Sequence, residues 1–108
     1  MDPEPLAQLE TADCSCRRFL DSIRSTAADG NHYFGSMKIR ALTATPDSPS
    51  QVEVLVLYDT TSGGTRSSDG RVLYKGPPRK GVEALFTLRL VTDRWLIADI
   101  ANIKPGST

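Results

Sequence analysis

The chain has little of the chemistry that metal sites and highly charged surfaces require. Its 108 residues include one histidine, two cysteines and one tryptophan, and 13 basic residues balance 13 acidic ones. Zero net charge provides no long-range field for collecting nucleic acid or an anionic membrane. The single histidine and the two cysteines would need carboxylates to complete a metal site, and no carboxylate has a suitable spacing from them. We therefore expect no metal, no cofactor and no nucleic-acid partner.

Long apolar runs are also missing. No segment approaches the roughly 20 apolar residues that span a bilayer, and the first residues lack the positive charge of a signal peptide. Hydrophobic residues make up 39% and charged residues 24% of the chain, which is typical of a compact fold. The sequence predicts one domain over residues 1–103, followed by a frayed tail over 104–108, with no membrane span in this chain.

Two helical patterns open the sequence. Asp2 predicts the N-cap of a short helix over residues 3–10. The second helix is indicated by an apolar stripe with helical spacing, formed by Cys16, Phe19, Leu20, Ile23 and Ala27. We expect Asp13 or Ser15 to cap its start and Gly30 to end it.

From residue 33 onward the apolar period changes to two, which indicates strands. They are predicted near 33–45, 51–60, 71–75, 81–92 and 94–103. The strand over 81–92 is apolar on both faces and should be central; the turn residues of 62–70 predict a long mobile loop. Helices followed by antiparallel strands predict an α+β domain, with N-terminal helices packed on a strongly curved antiparallel sheet of four or five strands.

Three stretches carry a family resemblance. Residues 2–9 leading to Cys14-Ser15-Cys16, the helix end at 27–30 and the closing strand at 95–100 resemble an actinobacterial lipoprotein-type domain of unknown function. That family is similar to the cone-shaped superfamily of nuclear transport factor and ketosteroid isomerase, also called cystatin-like. The resemblance implies a cystatin-like cone in a secreted parent protein that is tethered to the cell envelope by an anchor outside this chain.

The closely spaced cysteines are the sharpest local feature. In an oxidising compartment Cys14 and Cys16 can form a disulfide, provided that residue 14 lies outside regular helix. The alternatives are two free thiols, with Cys16 buried and Cys14 exposed, and a redox pair. Redox motifs have two residues between their cysteines, whereas Ser15 alone separates this pair. The disulfide is the favoured interpretation.

Several polar residues in or near the apolar strands are candidates for acid–base chemistry. They are His32, Tyr33, Tyr58, Asp59 and Asp99. A buried carboxylate with a raised pKa can serve as a general base. An aspartate near a strand end more often hydrogen-bonds a loop or pairs with an arginine such as Arg40 or Arg89, and a lone histidine after a helix more often lies on the surface. We therefore assign no catalytic residue and expect the chain not to be an enzyme.

The predicted function is that of a non-catalytic binding or interaction domain of an extracytoplasmic lipoprotein, with the ligand-binding residues unknown. The alternatives are an enzyme that uses acid–base chemistry in a cone-shaped pocket and a purely structural homodimerisation unit. Four aliphatic residues opposite the predicted core face favour a homodimer through the outer sheet face, namely Leu55, Leu57, Leu85 and Val91.

The basic residues of the middle of the chain and its single tryptophan carry two further expectations. Five basic residues predict either contact with an anionic envelope partner or a solvated loop, namely Arg66, Arg71, Lys75, Arg79 and Lys80. Trp95 alternates with Ile97 in the last strand and has the largest apolar surface in the chain. We expect it to be an anchor of the core.

Overall fold

The computed structural model describes the backbone of residues 4–108 and the side chains from residue 7 onward. Two helices and seven strands follow in the order α1 (Glu4–Leu9), α2 (Arg17–Ala28), β1 (His32–Phe34), β2 (Met37–Ser48), β3 (Gln51–Thr60), β4 (Gly63–Arg66), β5 (Val72–Gly76), β6 (Arg79–Val91) and β7 (Arg94–Lys104). The expected Asp2 cap lies outside the described residues. Gly30 ends α2 with φ at 78°, as predicted.

The strands form two antiparallel sheets. The large sheet has the order β2-β3-β6-β7, and the small sheet has the order β1-β4-β5. The central position predicted for the strand over 81–92 is confirmed, because β6 lies between β3 and β7. The last two strands are joined by a two-residue turn at Thr92 and Asp93, and Thr92 adopts a positive φ of 61° in that turn.

The predicted packing of helices on a curved sheet, and with it the cone, is wrong. The described chain is mostly strand, and its short helices do not form a layer on a sheet. Helix α2 contacts β1 of the small sheet, while α1 contacts the edge strand β7. The 12 residues of α2 reach about 18 Å, whereas the 13 residues of β6 extend over roughly 43 Å. One short helix cannot cover a four-stranded sheet of that length.

The core is consequently small. Leu20 and Ile23 are its largest fully buried side chains, whereas Trp95, expected to anchor it, is 44% exposed on the edge strand β7. The accessible surface is 7153 Å², against about 5,900 Å² for a typical folded monomer of 11.8 kDa. The molecule is also thin, with extents of 48 × 30 × 16 Å. A large part of the apolar sheet surface is therefore open.

Two segments that were expected to be irregular are paired. Part of the predicted loop over 62–70 forms β4, which lies between β1 and β5. A Cβ atom on Gly64 would lie 2.7 Å from the carbonyl carbon of Tyr74, so glycine permits this close pairing. In the predicted tail, Ser107 exchanges two backbone hydrogen bonds with Lys80, at 2.8 and 2.9 Å.

Candidate functional site

An open cleft of about 930 Å³ lies between α2 and one face of the large sheet. Most of its wall is apolar, formed by Phe19, Met37, Tyr58, Phe86, Ile97 and Ile100. The sheet register explains this composition, because Val54, Phe86 and Ile100 are cross-strand partners and such partners share a face. The polar groups in the wall are few, namely Glu10, Ser15, Arg18, Ser22 and Asn102.

The segment between the two helices fastens one side of this cleft to the sheet. Glu10 forms a parallel bridge with Ile97 of β7, and the Thr11 amide donates to the Ile97 carbonyl at 2.9 Å. Cys14 and Cys16 are buried and joined as a disulfide, with their Cα atoms 5.1 Å apart. The two cysteines thus lie at disulfide distance, as the favoured interpretation requires. The disulfide also holds Cys16 in the cleft wall immediately before α2.

Asp13 and Ser15 bind the sheet instead of capping α2. The described N-cap position makes no side-chain hydrogen bond. Asp13 accepts a hydrogen bond from Thr11 at 2.7 Å and pairs with Arg89 at 3.5 Å, and these two contacts lower the pKa of Asp13. Ser15 donates to Asp99 of β7. The capping prediction is therefore wrong, because both side chains have partners across the fold.

Glu10 is a buried carboxyl group in the cleft wall. The residue is 4% exposed, and its Oε1 atom lies 3.8 Å from the Arg17 Nε atom. That distance permits an ionic contact but not a hydrogen bond. Within the described part of the chain, no donor hydrogen-bonds to Glu10 Oε1. Burial raises the pKa of Glu10, and the Arg17 guanidinium offsets part of that effect.

Arg17 directs its donors to the backbone at the end of α1. Its Nε atom donates to the carbonyl of Thr11 at 3.1 Å, and its Nη2 atom donates to those of Ala7 and Glu10 at 3.4 and 3.2 Å. The last carbonyls of a helix lack partners within the helix. Arg17 therefore joins α1 to α2 and balances the charge of Glu10, but it leaves the carboxylate oxygen without a hydrogen bond.

A second cavity of about 470 Å³ lies where α2 meets the small sheet. Phe19 and Met37 line both this cavity and the cleft. The Tyr33 hydroxyl lies 2.8 Å from Ser22 Oγ and accepts a hydrogen bond from Thr26 at 3.4 Å. Hydrogen bonds from Ser22 first and then Thr26 lower the pKa of Tyr33. The tyrosine thus fastens α2 to β1.

The two aspartates considered for acid–base chemistry have structural partners and are not among the residues that line the cleft. Asp59 accepts a hydrogen bond from the Gly81 amide at 3.0 Å and lies 3.7 Å from Arg40. Asp99 is exposed and accepts the hydrogen bond of Ser15. The ordinary alternative for an aspartate near a strand end therefore describes both residues.

The remaining candidates are dispersed. His32 is exposed at the start of β1, Tyr33 lines the second cavity, and Tyr58 lines the cleft. Glu10, the carboxyl group that does line the cleft, was not among the predicted residues. The available signal was Arg17, seven residues later, which is too common a spacing to indicate a site.

No three histidine, cysteine, aspartate or glutamate side chains cluster for metal binding in the described part of the chain. None of the helices described there has both the length and the apolarity of a membrane span. Comparisons with protein-family models, curated proteins and solved structures find no match for this chain.

Proposed function

We propose that the chain is a non-catalytic binding module that takes up an apolar small molecule in the cleft between α2 and the large sheet. The observation that carries the proposal is the apolar cleft of about 930 Å³. Small-molecule sites are typically concave and apolar, at about 300–1,000 Å³, with a few polar groups that orient the ligand. Because the cleft is open to water, a ligand that covers its apolar wall would remove apolar surface from water, which is favourable.

The exposure of individual side chains supports the same proposal. Phe19 on α2 is 54% exposed and Met37 on β2 is 56% exposed, although both line the cleft. A ligand in the cleft would remove the apolar surface of both side chains from water, at about 25 cal/mol for each Å² buried. Acid–base catalysis would additionally require an orienting partner for the reacting group. Asp59 and Asp99 are engaged elsewhere. Arg17, the neighbour of Glu10, donates its hydrogen bonds to backbone carbonyls and does not orient the Glu10 carboxylate. Binding is therefore favoured over the alternative of an enzyme.

The proposal is tested with N-phenyl-1-naphthylamine, a neutral probe that becomes fluorescent in apolar surroundings. We expect saturable binding to the wild-type protein. Ser22 is exposed on α2 and lines the cleft, so Ser22→Trp should fill the cleft and weaken binding about tenfold or more, since each 1.4 kcal/mol of lost binding energy is tenfold. Ser22→Ala loses the same hydrogen bond to Tyr33 without filling the cleft, and it should bind the probe as the wild type does.

Ser25→Trp is the matched control. Ser25 is exposed on the same helix but lies outside the cleft wall, so this variant should bind the probe as the wild type does. Equal weakening by both variants, or probe binding that never saturates, would contradict the proposed cleft function.

The same module is proposed to work in the cell envelope, outside the cytoplasm, as part of a lipoprotein. The Cys14–Cys16 pairing supports this compartment, because disulfides persist in oxidising surroundings and are rare in the cytosol. Protein released from cells should show no alkylation of either cysteine without reductant, as measured by intact mass. Two added alkyl groups in protein recovered under oxidising conditions would count against that compartment.

A homodimer through the outer sheet face is the second candidate function. Leu55 and Leu85 are direct cross-strand partners on the face opposite the cleft, and Val91 on the adjoining part of β6 is 40% exposed. The accessible surface exceeds that of a typical monomer by about 1,200 Å². A standard interface buries about 800 Å² on each partner, so a second copy of the chain could cover this face.

Sedimentation of two matched variants tests the dimer. Leu57→Glu should convert a dimer into a folded monomer, because Leu57 shares the outer face with Leu55. Leu42→Glu should leave the dimer intact, since Leu42 is 62% exposed and pairs with Val56 on the other face. A wild-type protein that stays monomeric up to about millimolar concentration would contradict the dimer.

The basic residues support an additional contact with an anionic envelope partner. Arg71 and Lys75 are exposed at the small sheet, and Arg79 and Lys80 are exposed at the start of β6 in the large sheet. Arg66 is instead stacked on Phe34, with its guanidinium carbon 4.6 Å from the ring centre. Binding to vesicles rich in anionic lipid should weaken as salt is raised, since exposed charges are screened. Salt-independent binding would contradict this contact.

A further inference from the structure

The wall of the cleft contains a carboxylate whose charge is balanced but whose hydrogen-bonding capacity is not. Glu10 Oε1 is buried and lies 3.8 Å from Arg17 Nε. The nitrogens Nε and Nη2 of Arg17 donate to three backbone carbonyls. A buried polar group without a partner is unfavourable, because it has lost its hydrogen bonds to water without gaining another. Any ligand that supplies a donor to this oxygen would restore a hydrogen bond.

The charges around the cleft restrict which donor is suitable. Arg17 already offsets the negative charge of Glu10, and Arg18 adds a second positive charge to the cleft wall. A cationic ligand would face both guanidinium groups, and an anionic ligand would face the buried carboxylate. The polar side chains that the sheet contributes are Tyr58 and Asn102, which offer a hydroxyl and an amide group. Arg18 is exposed, so its charge is screened by solvent and salt, whereas the buried Glu10 and its neighbour Arg17 together carry no net charge. The electrostatics therefore favour a neutral ligand.

We propose that the cleft selects a neutral, largely apolar molecule that carries a hydroxyl or N–H donor, and that Glu10 accepts the hydrogen bond from this donor. The inference rests on the binding function proposed above and adds the chemistry of the ligand. Glu10 is held at the cleft by its backbone bridge to Ile97. The terminal torsion of a glutamate is soft, so the carboxylate turns toward a bound donor.

Three probes of nearly equal size distinguish the possibilities. They are 1-naphthylmethanol, its methyl ether, which has no donor, and the 1-naphthylmethylammonium cation. Each competes with N-phenyl-1-naphthylamine for the wild-type protein at about pH 8. The alcohol should bind about tenfold more tightly than the ether, because hydrogen bonds to charged groups are the stronger ones, and also more tightly than the cation.

Glu10→Gln keeps the side-chain shape and a neutral acceptor oxygen. It should reduce the preference for the alcohol over the ether to about threefold or less. Glu53→Gln is the matched control, since Glu53 lies on the opposite face of the large sheet, where its cross-strand partner is Thr87. This variant should keep the wild-type preference. The comparison of the three probes on the wild-type protein stands even where Glu10→Gln fails to fold.

The outcomes separate the two proposals. Alcohol and ether that bind equally, both blocked by Ser22→Trp, would overturn the role of Glu10 and leave the cleft as an apolar binding site. Tighter binding of the ammonium ion would overturn the selection of a neutral ligand. Binding of no probe, or binding that Ser22→Trp does not affect, would overturn the cleft function itself.

Discussion

At the scale of single residues, burial decides which apolar side chains stabilise the fold. Leu20 is fully buried on α2, whereas Trp95 is 44% exposed on the edge strand β7. Hydrophobic periodicity identified both as core residues, because it reports which face a side chain occupies and not whether another element covers that face. Whether a face is covered depends on which other elements pack against it, and periodicity does not report that.

A pair of truncations tests this difference. Leu20→Ala should lower the free energy of unfolding by roughly 3–5 kcal/mol, the range for a fully buried leucine. Trp95→Ala should cost about 1–2 kcal/mol, because much of the indole is already in water. Chemical denaturation measures both values. A larger loss for Trp95→Ala than for Leu20→Ala would contradict the small core described above.

The buried carboxyl group of Glu10 makes stability depend on pH. Its pKa is raised above the ordinary value of 4.5, chiefly by burial, so the folded protein retains this proton to a higher pH than the unfolded chain does. The contribution of Glu10 to stability is therefore most favourable below pH 4.5 and is lost as pH rises through the raised pKa. Glu10→Gln, which does not titrate, should remove this decline.

The measurement is the free energy of unfolding between about pH 4.5 and pH 8 for wild type and variant. Asp13 and Asp69 have pKa values that are lowered from the ordinary value of 3.8. Their contribution to the free energy of unfolding is therefore lost only as the pH falls below about 3.8. They therefore do not mask the effect of Glu10 in this window. Glu53→Gln should retain the wild-type slope. Parallel profiles for wild type and Glu10→Gln would contradict the burial of this carboxylate.

At the scale of elements, apolar periodicity predicted the long strands well. The strand predicted over 51–60 is β3. The strands predicted over 81–92 and 94–103 are β6 and β7, and each of their ends lies within two residues of its predicted position. Each has an apolar residue at alternate positions over at least five residues, which is a strong signal for a strand. The pattern also placed β6 in the centre of a sheet.

The elements that were missed lack that signal. Strand β4 consists of Gly63-Gly64-Thr65-Arg66, whose glycines and polar residues are typical of a loop. Its pairing depends on contacts with β1 and β5, which local sequence does not reveal. The break between β1 and β2 at Gly35 and Ser36 was missed for the same reason. The break at residues 35 and 36 separates β1 from β2, and β4 pairs with β1 and β5, so a second sheet forms. Because both were missed, the sequence predicted one sheet instead of two.

The close approach of β4 and β5 provides a test of the small sheet. In Gly64→Ala the new methyl group would meet the backbone of Tyr74, which cannot move without breaking the strand pairing. We expect a loss of about 1–3 kcal/mol in unfolding free energy, together with faster amide exchange in β4 and β5.

Gly76→Ala is the matched control within the same sheet. The nearest atom to its methyl group would be the Tyr74 hydroxyl oxygen at 3.4 Å, at the end of a movable side chain. This variant should cost less than about 1 kcal/mol. If Gly64→Ala is as stable as Gly76→Ala, β4 does not pair as described.

At the scale of the whole molecule, the cleft and the open outer face have one origin. A single 12-residue helix is too short to cover a four-stranded sheet, so apolar surface remains exposed on both sides. The sequence predicted strongly apolar strands and a short helical region, but not the space between them. Such a space depends on where α2 is held, and α2 is held by Tyr33 and by the disulfide at its start.

The central claim is that a small apolar molecule binds between α2 and the large sheet. The most direct test is a side-chain methyl NMR titration of the labelled protein with 1-naphthylmethanol. We expect saturable shifts for the methyl groups of the cleft residues Met37, Ile97 and Ile100, with those of Leu55 and Leu85 on the outer face unchanged. Shifts centred on the outer face, or no saturable shifts at the cleft, would contradict this claim.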